Sequence, residues 1–176
     1  MKEVYFKALK KEDMAQIVEW RNSTVGVLRT PFLMTKDMQE EFYERTVCDR
    51  GADSRYFAIH FDGSLVGMAG VNNISWENRN GEISLLVNPK LWGKGIGSMA
   101  VLEILRVGFN CMNLENIYGE CYFSNRAGIK FWESQIERFH GYTAILPNRK
   151  FFGGEYYDSL YFSFNRKTIW EGGERV

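Results

Sequence analysis

The sequence predicts a single mixed α/β domain, in which helices flank a central and largely antiparallel sheet in the order βααβββαβαββ. Three observations favour this fold class. The chain has 176 residues, of which 45% are hydrophobic and 25% charged, as is typical of one globular domain. Segments of strand-like and helix-like periodicity alternate along it. No Pro-rich, Ser-rich or repeated stretch marks a linker, so we predict one continuous core over residues 1–176.

The N-terminal segment predicts one strand and two helices. Residues 4–9 alternate between polar and apolar positions as a strand does, and residues 11–20 follow with apolar positions at helical spacing. Thr35 fits the N-cap of a second helix that extends to Val47. Its hydroxyl can accept a hydrogen bond from a backbone N–H that has no partner within the helix.

The middle of the chain predicts an antiparallel meander followed by a long helix. The three strands cover residues 56–61, 65–74 and 82–87. Asp62-Gly63 suits the hairpin turn between the first two strands, because both residues tolerate positive φ angles. Pro89 lacks a backbone donor and ends the ladder. The helix over residues 96–112 carries a broad apolar stripe.

The last third of the chain predicts a strand, a helix and a two-stranded ending. The strand covers residues 117–123 and the helix residues 125–135. The final strands cover residues 138–146 and 155–164, and residues 147–154 form the loop between them. Because tight turns join some strands and helices separate others, we expect a mixed sheet with helices on both faces.

Charge and cysteine content narrow the classes of partner and compartment. The chain has 22 basic and 22 acidic residues, and this neutrality argues against a bulk nucleic-acid partner held by counterion release. No apolar run has the length of a signal peptide or a membrane span, so we expect a cytoplasmic protein with no membrane partner. Cys48, Cys111 and Cys121 lack CxxC spacing, and we expect reduced core thiols and no metal site.

The strongest local signal is a glycine-rich turn between the third meander strand and the long helix. It consists of Leu91-Trp92-Gly93-Lys94-Gly95-Ile96-Gly97-Ser98. A helix start presents unpaired backbone N–H groups and the positive end of the helix dipole, and glycines let an anion approach them closely. The turn is therefore predicted to hold a pyrophosphate. Its spacing lacks the GxGxxG register of dinucleotide folds and the ending of a P-loop, and a ligand-free connection is the alternative.

The same turn resembles the acyl-CoA signature Q/R-x-x-G-x-G/A of the GCN5-related N-acetyltransferase (GNAT) superfamily. Gly95 and Gly97 match its two small residues, and Trp92 replaces the usual Gln or Arg. The segment from Asn125 to Trp132 resembles a second motif of the family, N-x-x-A/S-x-x-x-Y, with Trp132 in place of Tyr. Two motifs in the family's order make the ligand-free interpretation of the turn much weaker.

The resemblance extends to both ends of the chain. Residues 19–22, Glu-Trp-Arg-Asn, and residues 154–158, Gly-Glu-Tyr-Tyr-Asp, are similar to motifs of the branch that contains the ribosomal-protein alanine N-acetyltransferases. The resemblance therefore covers nearly the whole chain. It implies a GNAT-like domain and direct transfer of an acetyl group from acetyl-CoA to a primary amine, without a metal or a covalent enzyme intermediate.

The reaction implied by the resemblance needs a base and an acid. Glu82 is the candidate base, since its counterpart in related enzymes lies on the central strand near the reacting centre; a solvated carboxylate at a strand end is the alternative. Indole is a poor proton donor, so Trp132 cannot replace the usual Tyr acid. Ser124, Tyr122, water or the backbone can take that role, or the thiolate can leave unassisted.

The resemblance also implies two sets of binding residues. The acetyl-CoA set is Leu86, Val87, Trp92, Gly93, Lys94, Gly95, Ile96, Gly97, Ser98, Asn125 and Lys130. The acceptor set is Trp20, Arg21, Asn22, Arg29, Trp76 and Asp158. Three interpretations of the acceptor stay open. The acceptor is the amine of a small molecule, an amino sugar or a nucleotide-linked compound; or it is a protein N-terminus; or the chain is a non-catalytic CoA-binding module and has no acceptor. The resemblance is compatible with a homodimer.

Overall fold

One seven-stranded sheet organises the chain in the computed structural model, which describes residues 3–171. The strands are β1 (Val4–Ala8), β2 (Arg55–Phe61), β3 (Ser64–Ser75), β4 (Asn80–Val87), β5 (Asn116–Tyr122), β6 (Tyr142–Phe152) and β7 (Glu155–Asn165). The helices are α1 (Met14–Ser23), α2 (Lys36–Phe42), α3 (Ile96–Arg106), α4 (Arg126–Arg138) and α5 (Arg166–Glu171). The strand order is β1-β2-β3-β4-β5-β7-β6, and β4–β5 is the parallel pair. The predicted mixed, largely antiparallel sheet is confirmed.

The predicted order of elements holds, with differences at the C-terminal end. The helix α4 continues to Arg138, where a strand was expected, and β6 begins at Tyr142. The segment 147–154 is mostly strand, because β6 and β7 continue to a tight turn at Gly153-Gly154, where both φ angles are positive. Pro147 suggests a loop in the sequence, but it lies within a register shift of the β6–β7 ladder. The short α5 was not predicted.

Two helices end in π-helical turns. The turn Tyr43–Val47 extends α2, and Val107–Cys111 extends α3. Both segments were predicted as parts of continuous helices, since the side-chain periodicity does not distinguish the two windings. The backbone N–H of Met38 donates to the Thr35 hydroxyl at 3.2 Å, which confirms the predicted N-cap of α2.

Helices cover both faces of the sheet. On one face α1 buries Met14 and Ile17 against β2 and β3. On the other face α3 packs into the main core, where Phe109, Phe162 and Phe164 are fully buried. No helix in residues 3–171 is long and apolar enough to cross a bilayer.

The cysteines are free, and the prediction that all three lie in the core is wrong for two of them. Cys48 and Cys111 are exposed and Cys121 is buried. Burial raises the pKa of the Cys121 thiol to about 12, so this group stays protonated at neutral pH.

The parallel strands β4 and β5 separate soon after they pair. Their register pairs are Asn80↔Asn116, Gly81↔Ile117 and Glu82↔Tyr118. Both strands continue beyond this point, to Val87 and Tyr122. The interior of the sheet therefore opens between their C-terminal ends, which we call the cleft.

Candidate active site

A cavity of about 510 Å³ lies beside the end of β4 at the cleft, a volume in the normal range for small-molecule sites. Its wall consists of Thr24, Val27, Leu28, Leu85, Leu86, Val87, Leu91, Trp92, Gly93, Gly95, Ile96, Gly97, Ser98, Asn125, Ala127, Gly128, Phe131 and Trp132. Most residues predicted to bind acetyl-CoA lie on this wall. Lys94 and Lys130 do not, and both side chains are exposed.

The glycine-rich turn brings bare backbone to the cavity. Gly93 and Gly95 have φ angles of 77° and 79°, a region that other residues rarely adopt, and Gly95 is the N-cap of α3. A Cβ atom added at either position would meet nothing within 4 Å, so the space above the turn is open. Gly97 has a different role, because a Cβ there would lie 3.0 Å from the Phe131 ring and separate α3 from α4.

Hydrogen bonds of polar side chains hold the elements around the cavity in place. The Trp92 indole N–H donates to the Val87 carbonyl at 3.0 Å and ties the turn to the end of β4. The amide of Gln135 donates to the Ser98 hydroxyl at 3.1 Å and links α3 to α4. The Asn125 side chain accepts from the backbone N–H of Gly128 at 2.8 Å and caps α4.

The aromatic residue in place of the family's tyrosine is firmly packed. Trp132 lies on the cavity wall and stacks on Phe162 with ring centroids 4.5 Å apart. It also meets the Phe131 ring edge-on at 5.0 Å. Next to the cavity, the Ser124 hydroxyl is buried and has no hydrogen-bond partner in the described part of the chain. Ser124 is thus a polar group without a structural task there.

Two buried carboxylates lie side by side on β4 and β5, and neither is among the residues of the cavity wall. Glu82 on β4 and Glu120 on β5 have side chains only 9% and 8% exposed. Glu82 points to the same sheet face as Leu86, which lines the cavity, because alternate residues of a strand share a face. We call Glu82 and Glu120 the carboxylate pair.

Each member of the carboxylate pair accepts hydrogen bonds from a neutral side chain and from arginine. Asn73 donates to Glu82 at 2.8 Å, and Ser159 donates to Glu120 at 2.6 Å. Arg29 binds Glu82 through both terminal nitrogens, and its Nη2 lies 3.7 Å from Glu120. Both buried carboxylates therefore have a positively charged partner.

A second arginine binds Glu120 alone. The Nε of Arg149 donates to this carboxylate at 2.9 Å. Burial pulls the pKa of Glu120 upward, but the hydrogen bonds from Arg149 and Ser159 outweigh burial and hold the pKa below its usual value. Glu120 is therefore a fixed anion at neutral pH.

Two tyrosines flank the carboxylate pair. Tyr118 lies opposite Glu82 in the β4–β5 register and stacks on Tyr161 with ring centroids 5.6 Å apart. Burial raises the pKa of both phenols, which therefore stay neutral. The site combines negative charge with aromatic faces, as cation-binding sites do.

The loop over residues 24–35 forms one wall of the cavity and is held at several points. Lys150 of β6 is 6% exposed and donates to the carbonyls of Gly26 and Leu28 at 3.2 and 2.9 Å. Burial lowers the pKa of its ammonium group. Farther along, the Arg21 guanidinium donates to the Thr30 hydroxyl at 3.3 Å.

Replacing Lys150 by methionine is expected to destabilise the fold by about 1–3 kcal/mol, because two loop carbonyls lose their donor. Urea unfolding measures this change in free energy. Lys36→Met is the matched control: Lys36 is 63% exposed in an ion pair with Glu40, and its loss should cost less than about 0.5 kcal/mol. Equal effects would contradict the anchoring role of Lys150.

Most residues predicted to bind the acceptor lie elsewhere or serve the fold. Trp20 is buried in the core under α1, and Trp76 lies on the β3–β4 turn against the Arg55 guanidinium. Asn22 uses both ends of its amide on the Met34 backbone, at 2.8 Å each.

Of the remaining three acceptor candidates, Asp158 and Arg21 stabilise the fold and Arg29 lies at the carboxylate pair. Asp158 accepts from the Asn148 N–H at 2.9 Å and stabilises the register shift of β6–β7. Arg21 is largely buried, which lowers the pKa of its guanidinium, and it holds the loop wall through Thr30. Of the six predicted residues, Arg29 alone contacts the carboxylate pair in the described structure.

Three residues of the site, Glu120, Arg149 and Ser159, were not predicted from the sequence. A signal for Glu120 was present, because Tyr118, Glu120 and Tyr122 alternate with buried residues and so share one face of their strand. Arg149 and Ser159 gave no local signal, since only the strand order brings them to Glu120. In residues 3–171 no three His, Cys, Asp or Glu side chains form a group that could hold a metal ion.

Comparison with known proteins agrees with this geometry. A family model described as "Acetyltransferase (GNAT) domain" matches residues 3–134. The chain is 24% identical over 119 residues to spermidine N(1)-acetyltransferase of Escherichia coli (strain K12), a match that covers 65% of this chain and 62% of the relative. It is 23% identical over 130 residues to acetyltransferase PseH of Campylobacter jejuni, covering 73% of this chain and 78% of the relative. The chain thus spans less than two thirds of the length of the spermidine relative.

The fold is shared with solved structures over almost the full length. Spermidine N-acetyltransferase from Vibrio cholerae, solved in complex with CoA and spermine, superimposes with a TM-score of 0.83. The match covers 96% of this chain and 98% of that one, at 20% sequence identity. A likeness at this identity shows the common fold.

Proposed function

Because the chain belongs to the GNAT acetyltransferase family, we propose that it transfers the acetyl group of acetyl-CoA to a primary amine of a small molecule. One observation carries the proposal. The glycine-rich turn, with its bare backbone, lines the cavity at the end of β4, and the carboxylate pair lies on β4 and β5 where these strands separate. A site for an anionic carrier and a site for a cationic amine therefore meet in one opening of the sheet.

The glycine-rich turn suits the pyrophosphate of acetyl-CoA. The N-terminus of α3 provides unpaired N–H groups, and Gly93 and Gly95 leave them accessible. The end of β4 at Leu86 and Val87 lines the cavity where β5 has moved away, so backbone groups on this edge are available to the acyl-carrying arm, apart from the Val87 carbonyl, which accepts from the Trp92 indole.

The carboxylate pair suits the acceptor. In the proposed reaction the neutral amine attacks the thioester carbonyl, a C–N bond forms and the C–S bond breaks, and CoA leaves as a thiolate. Glu82 takes the amine proton, because apart from Arg29 its donor is the neutral Asn73. Glu120 stays ionised between Arg149 and Ser159 and holds the acceptor in place.

Ser124 is proposed to stabilise the leaving thiolate in place of the missing tyrosine. Its hydroxyl is buried without a partner in the described structure and lies next to Asn125 on the cavity wall. A hydrogen bond to a charged group contributes about 1.5–3 kcal/mol, so Ser124→Ala should lower kcat by about tenfold or more. Ser134→Ala is the matched control, since that hydroxyl is exposed and donates to the Phe131 carbonyl. Equal rates for both variants and the wild type would leave the thiolate unassisted.

A small acceptor fits the structure better than a protein N-terminus. A peptide needs an open groove, whereas here Lys150 of the β6–β7 hairpin fastens the loop over residues 24–35 at the cavity wall. The buried carboxylate pair and the two stacked tyrosines favour a cationic amine. Polyamines are thus the first class to test, in line with the relatives from E. coli and V. cholerae.

Acetyl-CoA consumption with thiol release tests the proposal against a panel of spermidine, spermine, aminoglycosides, amino-sugar nucleotides and peptides that start with Ala or Ser. A rate that depends on a small amine is expected. Amine-dependent release with the peptides alone would assign the chain to protein N-termini. CoA binding without turnover of any acceptor would make it a non-catalytic CoA-binding module.

A further inference from the structure

We propose that Arg29 is an internal competitor of the acceptor: its guanidinium occupies the place between Glu82 and Glu120 that the protonated acceptor nitrogen takes. Arg29 thereby sets the affinity and the charge preference of the site. The inference rests on the proposed function in one respect, that the acceptor is an amine.

The carboxylate pair requires a cation as its partner. Both carboxylates are more than nine-tenths buried, and each keeps one neutral donor from the sheet. A buried charge that loses its counter-charge is strongly disfavoured. Glu120 has Arg149 as a second partner, but Arg29 is the cation that the structure describes on Glu82. Whatever replaces Arg29 must therefore bring positive charge and N–H donors.

Arg29 can leave the carboxylate pair without disturbing the fold. Its side chain is 54% exposed, so part of it already faces solvent. The loop is held on both sides of Arg29, by Lys150 at the Leu28 carbonyl and by Arg21 at the Thr30 hydroxyl. The exchange is therefore a rotation of one side chain that needs no movement of the loop backbone.

The place that Arg29 vacates suits a positively charged nitrogen. Tyr118 and Tyr161 present neutral aromatic rings beside the pair, and such faces attract cations. An acceptor with its own carboxylate or phosphate at this point would meet Glu82 and Glu120 and be repelled. The site therefore selects amines that are cationic there, such as diamines and polyamines.

The competition has a simple quantitative form. A ligand that binds only when Arg29 has moved away shows an affinity reduced by the fraction of time for which the place is vacant. If Arg29 is in place for about nine-tenths of the time, its removal strengthens binding about tenfold. If Arg29 instead held an anionic group of the acceptor, its removal would weaken binding.

Calorimetric titration of spermidine into the protein without acetyl-CoA tests this sign. Arg29→Gln is expected to bind about tenfold more tightly than the wild type. Arg29→Lys should bind spermidine about threefold more tightly than the wild type, because a single ammonium cannot reproduce both contacts of the guanidinium with Glu82. Arg106→Gln removes an exposed arginine paired with Glu103 and should not change the affinity. Equal or weaker binding by both Arg29 variants overturns the inference.

Methylguanidinium, the free form of the missing head group, gives a second test that needs no acetyltransferase activity. It should raise the Tm of Arg29→Gln but not that of the wild type or Arg106→Gln. The double variant Arg29→Gln with Glu82→Gln should lose this response, because half of the carboxylate pair is gone. A protein that acetylates no amine would defeat the proposed function yet still give this result; a missing response in Arg29→Gln defeats the competitor role.

Discussion

Glu82→Gln is expected to lower kcat by about a hundredfold or more, the largest effect on rate that the structure predicts. A protonated amine has no lone pair for attack, and a positioned general base contributes about 10²–10⁴-fold. Glutamine keeps the shape of the side chain and the contact with Asn73 but cannot take a proton. Steady-state rates with the amine identified by the panel measure the loss.

The pH profile separates a lost base from a damaged site. As pH approaches the pKa of a free alkylamine, about 10.4, more of the acceptor is already neutral, so the deficit of Glu82→Gln should shrink. Glu120→Gln should instead raise the KM of the acceptor. This carboxylate, which Arg149 and Ser159 keep in place, is proposed to hold the acceptor and not to take its proton. Glu103→Gln on the exposed side of α3 is the control. A constant deficit at all pH values would contradict the assignment of Glu82 as the base.

Gly95→Asp is expected to weaken acetyl-CoA binding by about a hundredfold. The new carboxylate would stand at the N-cap of α3, in the open space where the pyrophosphate is proposed to bind. Two unit charges 4 Å apart repel by about 4 kcal/mol at an effective dielectric constant of 20, and about 2.7 kcal/mol already gives a hundredfold change. Calorimetric titration with CoA measures the difference.

Gly95→Asn is the matched control for this substitution. Asparagine has nearly the same size and tolerates the positive φ of 79° equally well, but it carries no charge. It should therefore retain most of the affinity, and both variants should unfold at similar temperatures. Equal losses in the two would trace the effect to the backbone and not to the phosphate.

The sequence was sufficient for the fold because its local signals agree with the tertiary structure. Asp62-Gly63 forms the expected turn, Gly95 begins α3, and Asn125 caps α4. The hairpin of β6 and β7 was cut short in the prediction because Pro147 and the glycines suggest a loop, whereas cross-strand pairing continues on both sides of the register shift. Pairing of this kind depends on the partner strand and cannot be read from one segment.

The two halves of the site differed in how well the sequence predicted them. The turn around Gly95 and the start of α4 are continuous motifs, and they lie on the cavity wall as expected. The acceptor half is built from strands and loops far apart in the chain: Arg29, Glu82 and Glu120 meet only after the sheet has formed. Asn22 and Trp20 were predicted to bind the acceptor, yet in this chain they hold the loop and the core.

The early separation of β4 and β5 bears on how this scaffold can change its chemistry over evolutionary time. Past Glu82↔Tyr118 no backbone ladder joins the two strands, so the width of the gap depends on the bulk of side chains such as Phe131 and Trp132. A smaller residue at either position enlarges the room for the acyl group without breaking a strand pairing. Single substitutions can thus change the size of the acyl group that is transferred, while the architecture that holds the carrier stays unchanged.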